Sequence, residues 1–229
     1  MTTRIRIVGL LVVSAFVLVG CGSGSDDGVA DLSANKILAK AKKQLDKQDN
    51  LTVKGKGKEE GSSSDIEVDM SFAGASASGN VEFNGMKLEV IKADGKSYFK
   101  ADKSFFESAG APNAMLDAIA GKWVLIDDNN QSFAEIGSFV SKDEFVDDLL
   151  KPEGKITKGK EKKVNGVDCV SLKSKKGTLY VDKKDGKPIS IVTTEDGEGT
   201  INFTYDKVDS VEAPSSDEVV DLNKLAAGS

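Results

Sequence analysis

Several side chains have the types and spacing of known reactive groups. Ser33 and Lys36 are three residues apart, like the nucleophile and the lysine of penicillin-recognising enzymes. The same spacing recurs at Ser97 and Lys100, in a segment whose alternation predicts a strand, and no Lys-Thr-Gly sequence accompanies either pair. The chain contains no histidine, which excludes His-dependent triads and His-ligated metals. The residues therefore predict a protein that is not an enzyme.

Two pairs of adjacent carboxylates are the candidates for a glycosidase pair or for cation ligands. In Asp127–Asp128 and Asp147–Asp148, neighbouring side chains on a strand would point to opposite faces, and no EF-hand spacing surrounds them. Gly55, Gly57 and Gly61 have a spacing that fits neither a dinucleotide loop nor a phosphate loop. We predict no metal and no cofactor, and we interpret these glycines as positions where a strand bends or is closely approached.

Composition favours a globular domain that does not bind nucleic acid. The 229 residues include 31 Lys and Arg against 37 Asp and Glu, a net charge of −6, with a pI of about 4.9. Hydrophobic residues make up 39% and charged residues 30%, the balance of a globular protein. An acidic chain of this kind is not expected to bind nucleic acid non-specifically.

The N-terminus has the pattern of an export leader. Arg4 and Arg6 precede an apolar stretch of thirteen residues, 7–19, which as a helix spans about 20 Å and is shorter than a ~30 Å hydrocarbon core. We therefore predict a cleaved signal peptide over 1–20. It ends in Leu18-Val19-Gly20-Cys21, which resembles the bacterial lipobox, where small residues precede a cysteine that is lipidated and becomes the new N-terminus. The alternative is a signal peptide with an incidental cysteine.

Acylation of Cys21 would have three consequences. The lipoprotein-processing enzymes would leave a diacylglyceryl group that anchors the protein to the cell membrane on its extracytoplasmic face. Residues 21–31 would form a polar tether, and the mature chain would carry a net charge of −8. Cys169 would have no intrachain partner, so we interpret it as a small buried residue in preference to a reactive thiol.

The rest of the chain, 32–225, reads as one α+β domain, which we expect to be monomeric. Ile37, Ala41 and Leu45 predict a helix from Ser33 to Lys47. After Asn50 the apolar period changes to two, and short helices are predicted over 112–120 and after Ser132 and Ser141, which open capping-box sequences. Turn sequences separate the strands at Asn84-Gly85, Asp94-Gly95, Asn165-Gly166, Asp185-Gly186 and Asp196-Gly197.

These elements predict a strongly curved antiparallel half-barrel. About eleven strands are joined by short turns, and short turns connect antiparallel neighbours. Lys155–Lys163 is expected to be one of these strands. A meander of this length curls instead of staying flat, so we expect one apolar concave face with the helices covering it.

Several segments together resemble the LolA-like lipoproteins, and most closely the LppX/LprG group of mycobacterial and related actinobacterial lipoproteins. The segments are Gly121-Lys122-Trp123-Val124, Val164-Asn165-Gly166-Val167, Gly177-Thr178-Leu179-Tyr180-Val181-Asp182, Gly186-Lys187-Pro188-Ile189 and Ala213-Pro214. The resemblance implies a half-open sheet closed by helices over an apolar cavity that holds lipid or glycolipid acyl chains. It also assigns the lipidated cysteine to Cys21.

The alternation then gives candidates for the cavity lining, although each of them can instead simply pack against the helices. They are Val68, Met70, Phe72, Val81, Phe83, Leu88, Val90, Trp123, Leu179, Ile191 and Phe203. Small residues were expected at other inward positions, where they either leave room for acyl chains or allow tight closure: Gly55, Gly57, Ala75, Ala77 and Gly79.

Two alternatives remain open at this stage. The chain can be a lipid carrier, or it can be an envelope lipoprotein with a packed core that acts through its surface. The lysine-rich segment Lys155–Lys163 is either a contact for anionic headgroups or a sheet edge protected against aggregation, and we favour the latter.

Overall fold

A computed structural model describes residues 28–58, 65–126, 134–193, 199–222 and 224. Several predicted features lie outside these residues: the signal peptide, Cys21, most of the tether, Gly61, Asp127–Asp128, Ser132 and the Asp196-Gly197 turn. The helices are Val29–Asp31 (a 3-10 turn), α1 Ala34–Asp46, α2 Lys103–Ser108, α3 Asn113–Ile119, α4 Ala134–Val140 and α5 Lys142–Leu149.

The strands form one curved, unclosed sheet. They are β1 Asn50–Lys58, β2 Asp65–Ala73, β3 Ser76–Phe83, β4 Met86–Ala93, β5 Lys96–Ala101, β6 Trp123–Ile126, β7 Thr157–Lys158, β8 Lys162–Val164, β9 Val167–Lys173, β10 Gly177–Asp182, β11 Pro188–Thr193, β12 Gly199–Thr204 and β13 Val219–Val220.

The sheet consists of two meanders that meet in the middle. Its order is β13-β6-β5-β4-β3-β2-β1-β12-β11-β10-β9-β7, with β8 also paired to β9. The antiparallel fold expected from the sequence is confirmed, with one exception: β13 pairs with β6 in parallel, Val219 opposite Trp123. The single meander expected is wrong, because β1 pairs with β12, for example through Val53 and Phe203.

Hairpin turns account for the local order of the strands. Asn84-Gly85, Asp94-Gly95 and Asn165-Gly166 all have two consecutive positive φ angles, from 49° to 80°, as type I′ turns require. Asp185-Gly186 differs, because only Gly186 has a positive φ, within a longer connection between β10 and β11. The β2–β3 turn, which no Asn-Gly or Asp-Gly pair marks in the sequence, uses Gly74 at φ 57°.

Two segments differ from expectation. Lys155–Lys163 is not one strand, because β7 and β8 pair separately with β9 on either side of a segment whose Gly159 amide donates to Ser171 O at 2.8 Å. Helix α2 was not predicted, since its apolar residues form one adjacent pair, Phe105 and Phe106. Asp102 caps α2 by accepting a hydrogen bond from the Phe105 amide at 3.0 Å.

The core lies between one face of the sheet and the helices. Ile37, Ala41 and Leu45 of α1 are fully buried, as the sequence predicts. Helix α5 is held to the centre of the sheet by Phe145, whose ring centroid lies 5.6 Å from that of Phe72 on β2. The helices therefore cover the apolar face and leave most of the polar face of the sheet to solvent.

Candidate functional site

Most of the predicted lining residues lie on the helix-covered face of the sheet, hereafter the inner face. Strand register places them side by side: Val68 lies opposite Val81, and Val81 opposite Leu88. Fully or almost fully buried are Met70, Phe72, Val81, Leu88, Val90, Leu179 and Phe203. Val68, Phe83 and Ile191 are half-buried. Their contact with a ligand stays a prediction.

Trp123 lies on the opposite, outer face, so its prediction as a lining residue is wrong. Its neighbour Val124 is the buried residue of this pair, and Val124 lies opposite Phe99. The Trp123 ring lies under Lys100, whose Nζ is 4.8 Å from the ring centroid. Strand β6 is apolar at all four positions, so alternation gives no information about which face each residue takes.

An apolar cavity of about 180 Å³ lies between α1, the end of α5 and strands β9–β12. Its floor consists of cross-strand neighbours: Leu172 lies opposite Leu179, Leu179 opposite Ile191, and Ile191 opposite Ile201. Its walls are supplied by the helices and by the segment after α5, mainly Leu38, Leu149, Leu150, Pro152 and Ile156. Of the residues predicted to line a cavity, only Leu179 and Ile191 line this one.

The rim of this cavity is polar and carries positively and negatively charged side chains. It includes Asp148, Lys151, Ser174, Lys176 and Thr193. A ligand with an apolar chain and a polar end therefore matches the cavity better than a purely polar one. Sequence patterns predicted the helices that carry Leu38 and Leu149. They did not predict this end as the site, because it forms only where α1 and α5 meet β9–β12.

Two of the small inward residues allow tight closure and do not create space. A Cβ added to Gly55 would lie 2.5 Å from Thr200 O, and one added to Gly79 would lie 2.3 Å from Asp69 O. At these two positions the space is occupied by a neighbouring strand's backbone, so the glycines allow tight closure. Ala77 is buried, and Ala75 is exposed in the β2–β3 turn instead of pointing inward.

Cys169 is buried on the outer face of β9, and burial raises the pKa of its thiol above the usual value. A thiol is reactive mainly as thiolate. We expect Cys169 in a Cys21→Ser chain to react with iodoacetamide only after unfolding, measured by mass spectrometry with and without urea. Rapid labelling of the native chain would contradict the interpretation of Cys169 as a structural residue.

Two other residues considered for chemistry, Ser33 and Asp147, have structural roles in the fold. Ser33 is the N-cap residue of α1, and Asp147 pairs with Lys42 at 2.6 Å. Within the described ranges, no three Cys, Asp or Glu side chains cluster in a way that could hold a metal ion. No helix among the described residues is long and apolar enough to cross a membrane.

Comparison with known proteins gives structural neighbours only. No protein-family model matches the chain, and the search of curated proteins gives no match. LprF from Mycobacterium bovis is similar at 13% identity and a TM-score of 0.48, covering 78% of this chain and 96% of LprF.

Two further neighbours are more distant. A LolA superfamily protein from Nitrosomonas europaea has 9% identity and a TM-score of 0.26, with 81% and 96% of the two chains covered. MucB, solved as the Pseudomonas aeruginosa MucA/MucB complex, has 16% identity and a TM-score of 0.35, with 80% and 59% covered.

Proposed function

We propose that this protein is a membrane-anchored extracytoplasmic lipoprotein that binds a lipid or glycolipid by an acyl chain. The observation that carries the proposal is the apolar cavity between α1, α5 and β9–β12, lined by eight leucine and isoleucine side chains and bordered by polar ones. Anchoring rests on the lipobox-like sequence ending at Cys21 and on acylation there. Binding makes and breaks no bond, so we keep the prediction that the chain is not an enzyme.

The size of the cavity limits what it holds in this conformation. Its volume of about 180 Å³ is below the ~300 Å³ at which typical ligand pockets begin, although apolar cavities of about 150 Å³ bind benzene. It therefore accommodates part of one acyl chain. Each buried methylene contributes about 0.8 kcal/mol, so deeper insertion is favoured where α5 moves away from the sheet.

The small volume of the cavity also favours a second function. With the remaining core packed and the cavity below ~300 Å³, a lipoprotein that acts through its surface on other envelope components is consistent with the structure. The two functions differ in whether lipid accompanies the protein. In the first, lipid copurifies with the mature chain; in the second, it does not.

Native mass spectrometry separates the two. The mature chain, purified from the cell envelope, is transferred to a volatile buffer and exposed to lipids of defined acyl length. We expect adducts whose affinity rises with acyl length. A single apo mass that no lipid titration changes would overturn the carrier proposal and leave the surface-acting lipoprotein.

A matched pair of tryptophan variants locates the ligand. Ile191 lines the cavity, while its neighbour Val192 lies on the opposite face of the same strand. We expect Ile191→Trp to weaken lipid binding at least about tenfold, because the indole displaces about two methylenes of the ligand at about 0.8 kcal/mol each. Val192→Trp should bind as the parent does. Equal losses in both variants would place the ligand elsewhere.

A further inference from the structure

One end of the sheet is strongly basic although the protein is acidic. Residues 151–187 contain twelve lysines against five carboxylates, a net charge of +7, whereas the whole chain carries −6. This segment forms β7 to β10, which lie together at one end of the strand order. We call it the basic edge. The positive charge is therefore concentrated in one region of the surface.

Most of these lysines are exposed and are not neutralised by nearby carboxylates. Lys163, Lys175, Lys183 and Lys187 make ion pairs, at 2.6–3.7 Å. The other eight form no ion pair with the residues that the structure describes: Lys151, Lys155, Lys158, Lys160, Lys162, Lys173, Lys176 and Lys184. All eight are exposed.

Protection of a sheet edge explains only part of this charge. A few lysines on the terminal strands are enough to prevent edge-to-edge pairing. Lys158 of β7 and Lys162 and Lys163 of β8 are in that position. Lys151, Lys155, Lys175, Lys176 and Lys184 lie outside the strands and yet extend the same basic surface.

The chain leaves the domain toward its N-terminus at this same edge. Lys158 Nζ donates a hydrogen bond to Ala30 O at 2.6 Å, which holds the start of the described chain against β7. Cys21 precedes Gly28 by seven residues, a maximum reach of about 25 Å. An acyl group on Cys21 would keep the basic edge close to the bilayer.

The rim of the cavity belongs to this surface as well. Lys151, Ser174 and Lys176 border the cavity and lie within the basic edge, and Pro152 and Ile156 form its wall just before β7. A membrane that contacts the basic edge would therefore lie beside the cavity rim. An acyl chain would then have a short path between the bilayer and the cavity.

We propose that the basic edge is a docking surface for an anionic lipid bilayer. It attracts anionic headgroups and orients the domain so that the cavity rim borders the membrane. The inference rests on the proposed function for the anchor and the cavity. The charge contact itself needs neither of them, so it can be tested without an acyl group and without a bound lipid.

Vesicle cosedimentation of the unlipidated mature chain, residues 21–229 with Cys21→Ser, is the test. We expect binding to vesicles of equal parts phosphatidylglycerol and phosphatidylcholine, little binding to pure phosphatidylcholine, and a decline as salt is raised. In the variant Lys155→Gln, Lys160→Gln, Lys162→Gln, the partition coefficient should fall by about fivefold per lysine, or about a hundredfold in all.

The control removes the same charge from the other half of the sheet. Lys87, Lys96 and Lys122 are exposed there, and their triple glutamine variant should bind within about twofold of the parent, because charges distant from the contact are screened. Circular dichroism and thermal midpoints verify that both variants fold.

Three results would overturn the docking surface: no binding to anionic vesicles, equal binding to both vesicle types, or equal losses in the two variants. None of them bears on the native mass spectra. Failure of the docking surface is therefore distinguishable from failure of the lipid-binding proposal.

Discussion

Replacing Gly55 by alanine is expected to destabilise the fold by about 3 kcal/mol, at the upper end of the usual cost of overpacking. The added methyl would lie 2.5 Å from Thr200 O and 2.7 Å from Ile201 Cα. These are backbone atoms of β12, so no side-chain rotation relieves the clash, and the β1–β12 pairing itself must shift. Urea unfolding followed by circular dichroism measures the effect.

Gly57 provides a matched control two residues further along the same strand. A Cβ added there would have Gly199 Cα as its nearest neighbour, at 3.6 Å, an ordinary van der Waals contact. We expect Gly57→Ala to change the free energy of unfolding by less than about 1 kcal/mol. A loss of unfolding free energy at Gly55 as small as that expected at Gly57 would mean that the two meanders are less closely packed at Gly55 than the structure indicates.

Truncation of Phe72 to alanine is expected to cost about 4 kcal/mol of unfolding free energy. Its side chain is 1% exposed and packs against Phe145 of α5, with ring centroids 5.6 Å apart. The loss combines the transfer free energy of the ring with the cavity it leaves. Leu149 of the same helix and Leu150 directly after it line the apolar cavity, so under the proposed function looser attachment of α5 should also change lipid binding.

Phe83 is the control for this change. It lies on the same face of the neighbouring strand but is only half-buried, so Phe83→Ala should cost less than half as much. A double-mutant cycle between Phe72 and Phe145 should give a coupling of about 1 kcal/mol. A coupling near zero would show that the ring contact does not hold α5 on the sheet.

Local sequence patterns predicted the elements well, because their causes are local. Asn-Gly and Asp-Gly pairs tolerate the positive φ angles of tight hairpins, and three of these turns have the expected geometry. The alternation from Val68 to Phe72 separates a buried from a polar face, and the spacing of Ile37, Ala41 and Leu45 identifies the buried face of α1.

Features that depend on residues far apart in the chain could not be predicted from local patterns. Nothing near Val53 indicates that Phe203 will be its partner, so the junction of the two meanders was missed. Trp123 was misplaced because an apolar strand has no alternation. The pairing of its edge with β13, from the C-terminal segment, is likewise not visible in the local sequence. The position of the cavity also escaped prediction, since its lining combines α1, α5 and four strands.

Because β1 pairs with β12, the sheet cannot be completed until most of the chain has been synthesised. Partners such as Thr52 and Thr204 are separated by about two thirds of the chain, so the central junction cannot form before residues near the C-terminus are available. The ribosome therefore handles a polypeptide with an unfinished sheet. Such distant contacts slow folding. Under the proposed extracytoplasmic function, slow folding suits a chain that is translocated before it folds.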